Sequence, residues 1–153
     1  MNRAWSYIIS KPLSDEELQQ LQEAGNRFVS GWTAHESQLS ASFEILYKRI
    51  IVVKVNEDVH GASGCSIDKL LRFVKEAEAA FHIELLNRLL VAYRSGNGVE
   101  VTSAPKIKEL LAEHKIDENT IVLNTALANE EELMNWEQPL RTTWLSKYLQ
   151  AQK

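Results

Sequence analysis

Residues 50–55 read IIVVKV, five β-branched residues in six. A continuous apolar run of this kind belongs to a strand buried on both faces, so a sheet with a covered interior is part of the fold. The preceding stretch has a period of two. Leu39, Ala41, Phe43, Ile45 and Tyr47 alternate with Ser40, Ser42, Glu44, Leu46 and Lys48, which predicts a second strand with one apolar face. The two strands meet tightly near Lys48-Arg49, without the Asn-Gly signal of a short hairpin.

Around this pair the periodicity predicts the remaining elements. A first strand covers 4–9 (AWSYII) and ends at Lys11-Pro12. Ser14 and Glu17 form a capping box, and Leu18, Leu21, Gly25, Phe28, Val29 and Trp32 share one face of a helix that stops near Gly31. After a small-residue loop, 56–66, a second helix aligns Ile67, Leu70, Leu71, Val74, Ala77 and Phe81. A strand over 88–94, the turn Ser95-Gly96-Asn97-Gly98 and the short strand 99–101 make a hairpin. A third helix runs from about Pro105 to His114, a strand occupies 120–123, and Asn129 with Glu132 caps a short helix. A last helix carries Trp144, Leu145, Tyr148 and Leu149.

The first six elements follow the order strand, helix, strand, strand, helix, strand, which is the split βαβ, ferredoxin-like unit. The expected class is α+β: a ferredoxin-like core with two helices on one face of a mainly antiparallel sheet, extended at the C-terminus by a strand and helices. A mixed-sheet α/β arrangement is the alternative. With 153 residues, no linker-like stretch and no repeat, residues 1–153 read as one domain.

Composition excludes several classes. Hydrophobic residues make up 44% of the chain, too many for a disordered one. No apolar run approaches ~18 residues, so no membrane insertion is expected. Lys and Arg number 17 against 21 Asp and Glu, a net charge of −4 that argues against nucleic acid as a partner. A single cysteine excludes an intrachain disulfide and a C-x-x-C pair. MNRAWSYIIS lacks the form of a signal peptide, and the cytoplasm is the expected compartment. No Walker A sequence and no G-x-G-x-x-G occur, so no nucleotide cofactor is implied. His35-Glu36 begins like a zinc-protease motif, but Leu39 stands where the second ligand belongs, and no local spacing supports a metal. Ser66/Lys69 and Ser103/Lys106 match S-x-x-K without the companion motifs of β-lactamases.

One loop draws attention. Gly61-Ala62-Ser63-Gly64-Cys65-Ser66-Ile67-Asp68 joins the buried strand to a helix. Small residues permit close backbone approach, and a helix start offers unpaired N–H groups and partial positive charge, which favour anions and lower a thiol pKa. Cys65 is expected at the N-cap or one residue before it, and the amides of Gly64 to Ser66 with the hydroxyls of Ser63 and Ser66 are the expected anion donors, with Arg88 or Arg94 supplying charge. The plain alternative is a turn at Gly61 and Gly64, Ser66 as N-cap, Asp68 complementing the dipole and Cys65 as a small hydrophobe. For thiol chemistry, His35 or His60 is the candidate base and Asp68 the orienting group. His82 and His114 are explained as helix C-terminal residues. Of the four tryptophans, Trp32 and Trp144 read as core, while Trp136, between two helices, is placed to wall a pocket or to pack as core.

Trp32-x-x-His35, Ser63-Gly64-Cys65-Ser66-Ile67-Asp68, and Trp136 with Pro139 and Trp144 resemble a family of small bacterial proteins of this length, some of which carry the name ABC transporter ATPase. The likeness covers most of the chain, and SGCSID is its most specific part. The ATPase name does not fit a chain without a Walker A loop. The resemblance implies that the SGCSID loop, Trp32 and His35 belong to one site. Three functions follow as expectations: binding of a small anionic ligand at 61–68 through Ser63, Gly64 and Ser66 with Trp32 and Trp136; a thiol-dependent enzyme using Cys65, His35 and Asp68; or a non-catalytic interaction module forming a homo-oligomer.

Overall fold

A computed structural model describes residues 2–150. In chain order it contains β1 (Arg3–Ile8), α1 (Asp15–Ser30), β2 (Thr33–Ala34), β3 (Ser37–Gln38), β4 (Ala41–Leu46), β5 (Ile50–Val55), α2 (Gly64–Phe81), β6 (Leu90–Ser95), β7 (Gly98–Ser103), α3 (Ala104–Ala112), β8 (Ile121–Leu123), α4 (Glu130–Met134), β9 (Glu137–Pro139), two single 3₁₀ turns and α5 (Lys147–Gln150). The class is α+β. The strands pair antiparallel throughout, in a three-stranded sheet ordered β1-β5-β4, a four-stranded sheet ordered β7-β6-β8-β9 and the small β2-β3 ribbon.

β5 explains the layering. Ile51, Val53 and Val55 point to a core shared with Leu21 of α1 and Leu70, Val74 and Ala77 of α2. Ile50 and Val52 point the other way, onto Ala92 of β6 and Leu123 of β8. Alternation along one strand therefore places helices on one side and a second sheet on the other. The second sheet repeats the logic: Ala92 and Leu123 face inward, while Val91 and Val122 face Ile107 and Leu111 of α3 and the C-terminal residues Leu140 and Leu145. The result is four layers: α1 and α2, the first sheet, the second sheet, then α3 with the C-terminal turns.

This corrects one part of the expected topology. The half formed by β1, α1, β4 and β5 has the split βαβ order, but the sixth element, β6, does not join β1. The outer edge of β1 is occupied by the chain after β8: the Ala4 amide donates to the Ala128 carbonyl at 3.2 Å, the Glu130 amide to the Asn2 carbonyl at 3.0 Å, and Ser6 Oγ to the Thr125 carbonyl at 2.7 Å. β6 is apolar on both faces, a pattern that suits the centre of a second sheet. The C-terminal elements thus build that sheet, where an extension of the first was expected.

Two connections show why the hairpins were hard to read. Tyr47 and Lys48 have φ of 54° and 60° and join β4 to β5; His35 and Glu36 have φ of 52° and 68° and join β2 to β3. Each pair occupies the left-handed region that Asn-Gly normally fills. The cost for a side chain there is roughly 1 kcal/mol or more per residue. Lys48→Gly is therefore expected to stabilise the protein by roughly 0.5–1 kcal/mol, less the entropy glycine adds to the unfolded chain. The Lys48–Asp15 contact at 3.3 Å is exposed and contributes little to offset this. A chemical denaturation midpoint no higher than wild type would contradict the assignment of strain. Tyr47 itself is held in place, since its hydroxyl accepts from Arg94 Nη1 at 2.6 Å and its ring lies 5.0 Å beneath that guanidinium.

Candidate functional site

The 61–68 loop folds as a self-contained helix start. Ser63 is the N-cap, so Cys65 lies at the second helical position and Ser66 at the third, one turn deeper than the sequence places them. The Ser66 amide donates to Ser63 Oγ at 3.1 Å, and the Ser63 amide donates to Ser66 Oγ at 2.7 Å, a capping box with serine in both places. Ser66 Oγ also donates to the Ser63 carbonyl at 2.8 Å, and the Ala62 amide donates to the Glu57 carboxylate at 3.1 Å. The hydroxyls expected to hold an anion are thus engaged with each other, and a carboxylate stands at the loop. Of the expected amides, Ser66 is used and Gly64 and Cys65 remain.

The structure brings Trp32 to this loop. Its indole N–H donates to the Ser66 carbonyl at 2.8 Å, with Trp32 1% exposed and Ser66 fully buried. Trp32 and the loop, expected to share one site, are therefore joined, but by a structural bond with the indole buried. Cys65, His35, His60 and Asp68 are all exposed, and no side-chain hydrogen bond links Cys65 to any of the other three. Among the described residues no group of three His, Cys, Asp or Glu side chains is arranged to hold a metal ion, and no helix is long and apolar enough to cross a membrane.

A cleft of about 340 Å³ lies elsewhere, where β1 and β6 approach without pairing. Its walls come from five segments: Ser6, Tyr7 and Ile8 of β1; Leu85, Asn87, Arg88, Leu90 and Val91 leading into β6; Val122 to Ala126 at and beyond β8; Gln138 of β9; and Thr142 to Trp144. The volume lies within the range of small-molecule pockets, roughly 300–1,000 Å³. Of the tryptophans, Trp136 takes the core place that was one of its two expected ones, and Trp144, expected in the core, does not. Trp136 is 8% exposed and packs in the core between the sheets, whereas Trp144 is 55% exposed and walls the cleft. Trp136 is buried because its place between α4 and β9 faces the sheet interface, a position no helical period reveals.

The charge of the cleft is simple. Among the described residues, Arg88 is the one cationic residue on its wall, and no Asp or Glu lines it. Arg88 is exposed and makes no hydrogen bond or ion pair with other described residues, while Arg94, the other candidate, is bound to Tyr47 and lies 3.4 Å from Glu137. The Gln138 amide is half-buried and has no side-chain partner among the described residues. Other polar walls are already engaged. Asn87 donates to Glu84 at 2.8 Å and accepts from the Leu89 amide at 2.9 Å, and the hydroxyls of Thr142 and Thr143 donate to the carbonyls of Pro139 and Leu140. Asn124, Gln138, Thr142 and Thr143 escaped sequence reasoning because they come from three short, separate segments with no common period.

Burial pushes the Tyr7 phenol up to about 12, and the positive charge of Arg88 draws it back part of the way. Tyrosine in the unfolded chain titrates near ~10. The folded state thus holds this proton more tightly, so the associated stability is complete below pH ~10 and is lost as pH rises through about 12. Denaturation midpoints measured from pH 9 to 12 are expected to fall more steeply for wild type than for Tyr7→Phe; parallel curves would contradict it. The chain matches no family model, no curated protein and no solved structure.

Proposed function

We propose that the protein binds a small organic anion in the cleft between its two sheets. The observation that carries this reading is a guanidinium, Arg88, that has no partner among the described residues and stands on the wall of a 340 Å³ cleft to which they bring no carboxylate. Guanidinium pairs strongly with carboxylate or phosphate oxygens when both N–H groups engage, and the partly apolar walls lower the local dielectric and strengthen the attraction. Gln138 supplies an amide donor and acceptor, and Trp144 an apolar face. Ligand binding of this class agrees with the anion expectation drawn from the sequence, at a different place. The 61–68 loop has less support, because its hydroxyls and one of its three expected amides are spent within the capping box and Glu57 stands beside it.

Arg88 is exposed, so Arg88→Gln is expected to fold normally. In a thermal-shift screen of small organic anions, at least one should raise the wild-type midpoint, since a ligand at a hundredfold excess over its Kd stabilises by about 2.7 kcal/mol. The same anion should leave Arg88→Gln unshifted. Equal shifts in both proteins, or none in wild type across the screen, would overturn the reading.

A further inference from the structure

We infer that the cleft selects an aromatic monocarboxylate, an inference that rests on the cleft being the binding site. Charge sets the first limit. One guanidinium, with no second cation on the wall among the described residues, neutralises one negative charge; a phosphate monoester, near −2 at neutral pH, leaves a charge without a partner among neutral walls. Donor type sets the second. The cleft is walled by strand residues and connections, and no long helix begins in it, so it lacks the clustered backbone N–H groups that phosphate sites use. A carboxylate needs only the planar two-point contact that one arginine provides.

The rest of the wall describes the body of the ligand. Trp144 is a large aromatic residue left 55% exposed at a cleft, whereas Trp32 and Trp136 are buried. Its indole is held by Lys147, whose Nζ lies 5.5 Å from the Trp144 ring centroid and 5.2 Å from that of Tyr148. An indole fixed in this way offers a flat surface on which a planar ring gains both area and offset stacking. Leu85 and Leu90 supply the apolar surround, and Gln138 offers one donor and one acceptor to a ring heteroatom or hydroxyl.

The test uses the full-length protein and four probes: 2-naphthoate, its neutral counterpart 2-naphthylmethanol, octanoate and inorganic phosphate. Calorimetric titration is expected to show 2-naphthoate binding at least tenfold more tightly than the other three. Arg88→Gln should remove that preference over the alcohol, and Trp144→Ala should weaken 2-naphthoate severalfold while leaving octanoate unchanged. Arg88→Lys, which keeps the charge without the planar fork, should bind 2-naphthoate more weakly than wild type. If octanoate or phosphate binds more tightly and still depends on Arg88, the aromatic carboxylate is wrong and the cleft remains the site. If 2-naphthoate binds equally well to Arg88→Gln, or if no probe binds wild type, this inference falls; a negative screen with other anions as well takes the cleft reading with it.

Discussion

Trp32→Ala is expected to destabilise the protein by about 4 kcal/mol, and Trp32→Phe by about 2 kcal/mol, in equilibrium denaturation. Trp32 is almost fully buried at the end of α1. Its ring centroid lies 5.9 Å from that of Trp5 and 5.1 Å from that of Phe28, and Phe28 stacks on Phe73 of α2 at 4.8 Å. Removing the whole side chain leaves a cavity beside two aromatic neighbours, Trp5 of β1 and Phe28 of α1, that are tied to separate elements and cannot collapse together. Phenylalanine keeps much of the contact but loses the donor to the Ser66 carbonyl. That bond is the fastener between the turn after α1 and the first turn of α2, so its loss should also loosen the capping box. Amide exchange at Gly64 to Ile67 is expected to rise in Trp32→Phe more than exchange in β5. A phenylalanine variant as stable as wild type would show that packing alone fixes Trp32 and that the indole bond contributes nothing net.

The same residue shows how far the sequence could be read. Trp32 was legible as core because it continues the apolar period of α1 two residues past its end, and IIVVKV was legible as a doubly buried strand because nothing else accommodates it. Helix starts were equally clear where a side chain states the cap, as at Ser14 with Glu17 and Asn129 with Glu132. The start of α2 was misplaced because two serines share that capping box: Ser63 and Ser66 are chemically alike, and only geometry shows which is the cap. The second layer of sheet was not legible for a different reason. Whether β6 pairs with β1 or leaves it is decided by what occupies the edge of β1, and that is Thr125 to Glu130, more than 115 residues away in the chain. The cleft inherits the difficulty. It exists because β6 turns aside from β1, so its residues have no shared local pattern, whereas the glycine- and serine-rich loop at 61–68 had a pattern that described a helix cap.

Gly25→Ala is expected to destabilise the protein by about 2 kcal/mol, although alanine is the better helix former by roughly 1 kcal/mol. Gly25 is buried in the middle of α1, and a Cβ placed on it would strike the ring of Phe43 in β4 at three ring atoms. The ring has little freedom to yield: its partner Phe73 lies edge-on at 5.9 Å, and Phe73 is itself stacked on Phe28. The missing side chain is therefore what lets α1 lie flat on the sheet, and its helical cost is offset by close packing. The argument makes a prediction with a change of sign. In a Phe43→Ala background all three of those atoms are gone, and Gly25→Ala should become neutral or stabilising by up to about 1 kcal/mol. The coupling between the two positions in a double-mutant cycle should thus reach about 2–3 kcal/mol. Additive effects would mean that α1 shifts away from the sheet to admit the methyl group, and that the tight contact between Gly25 and Phe43 does not set the distance between the helix layer and β4.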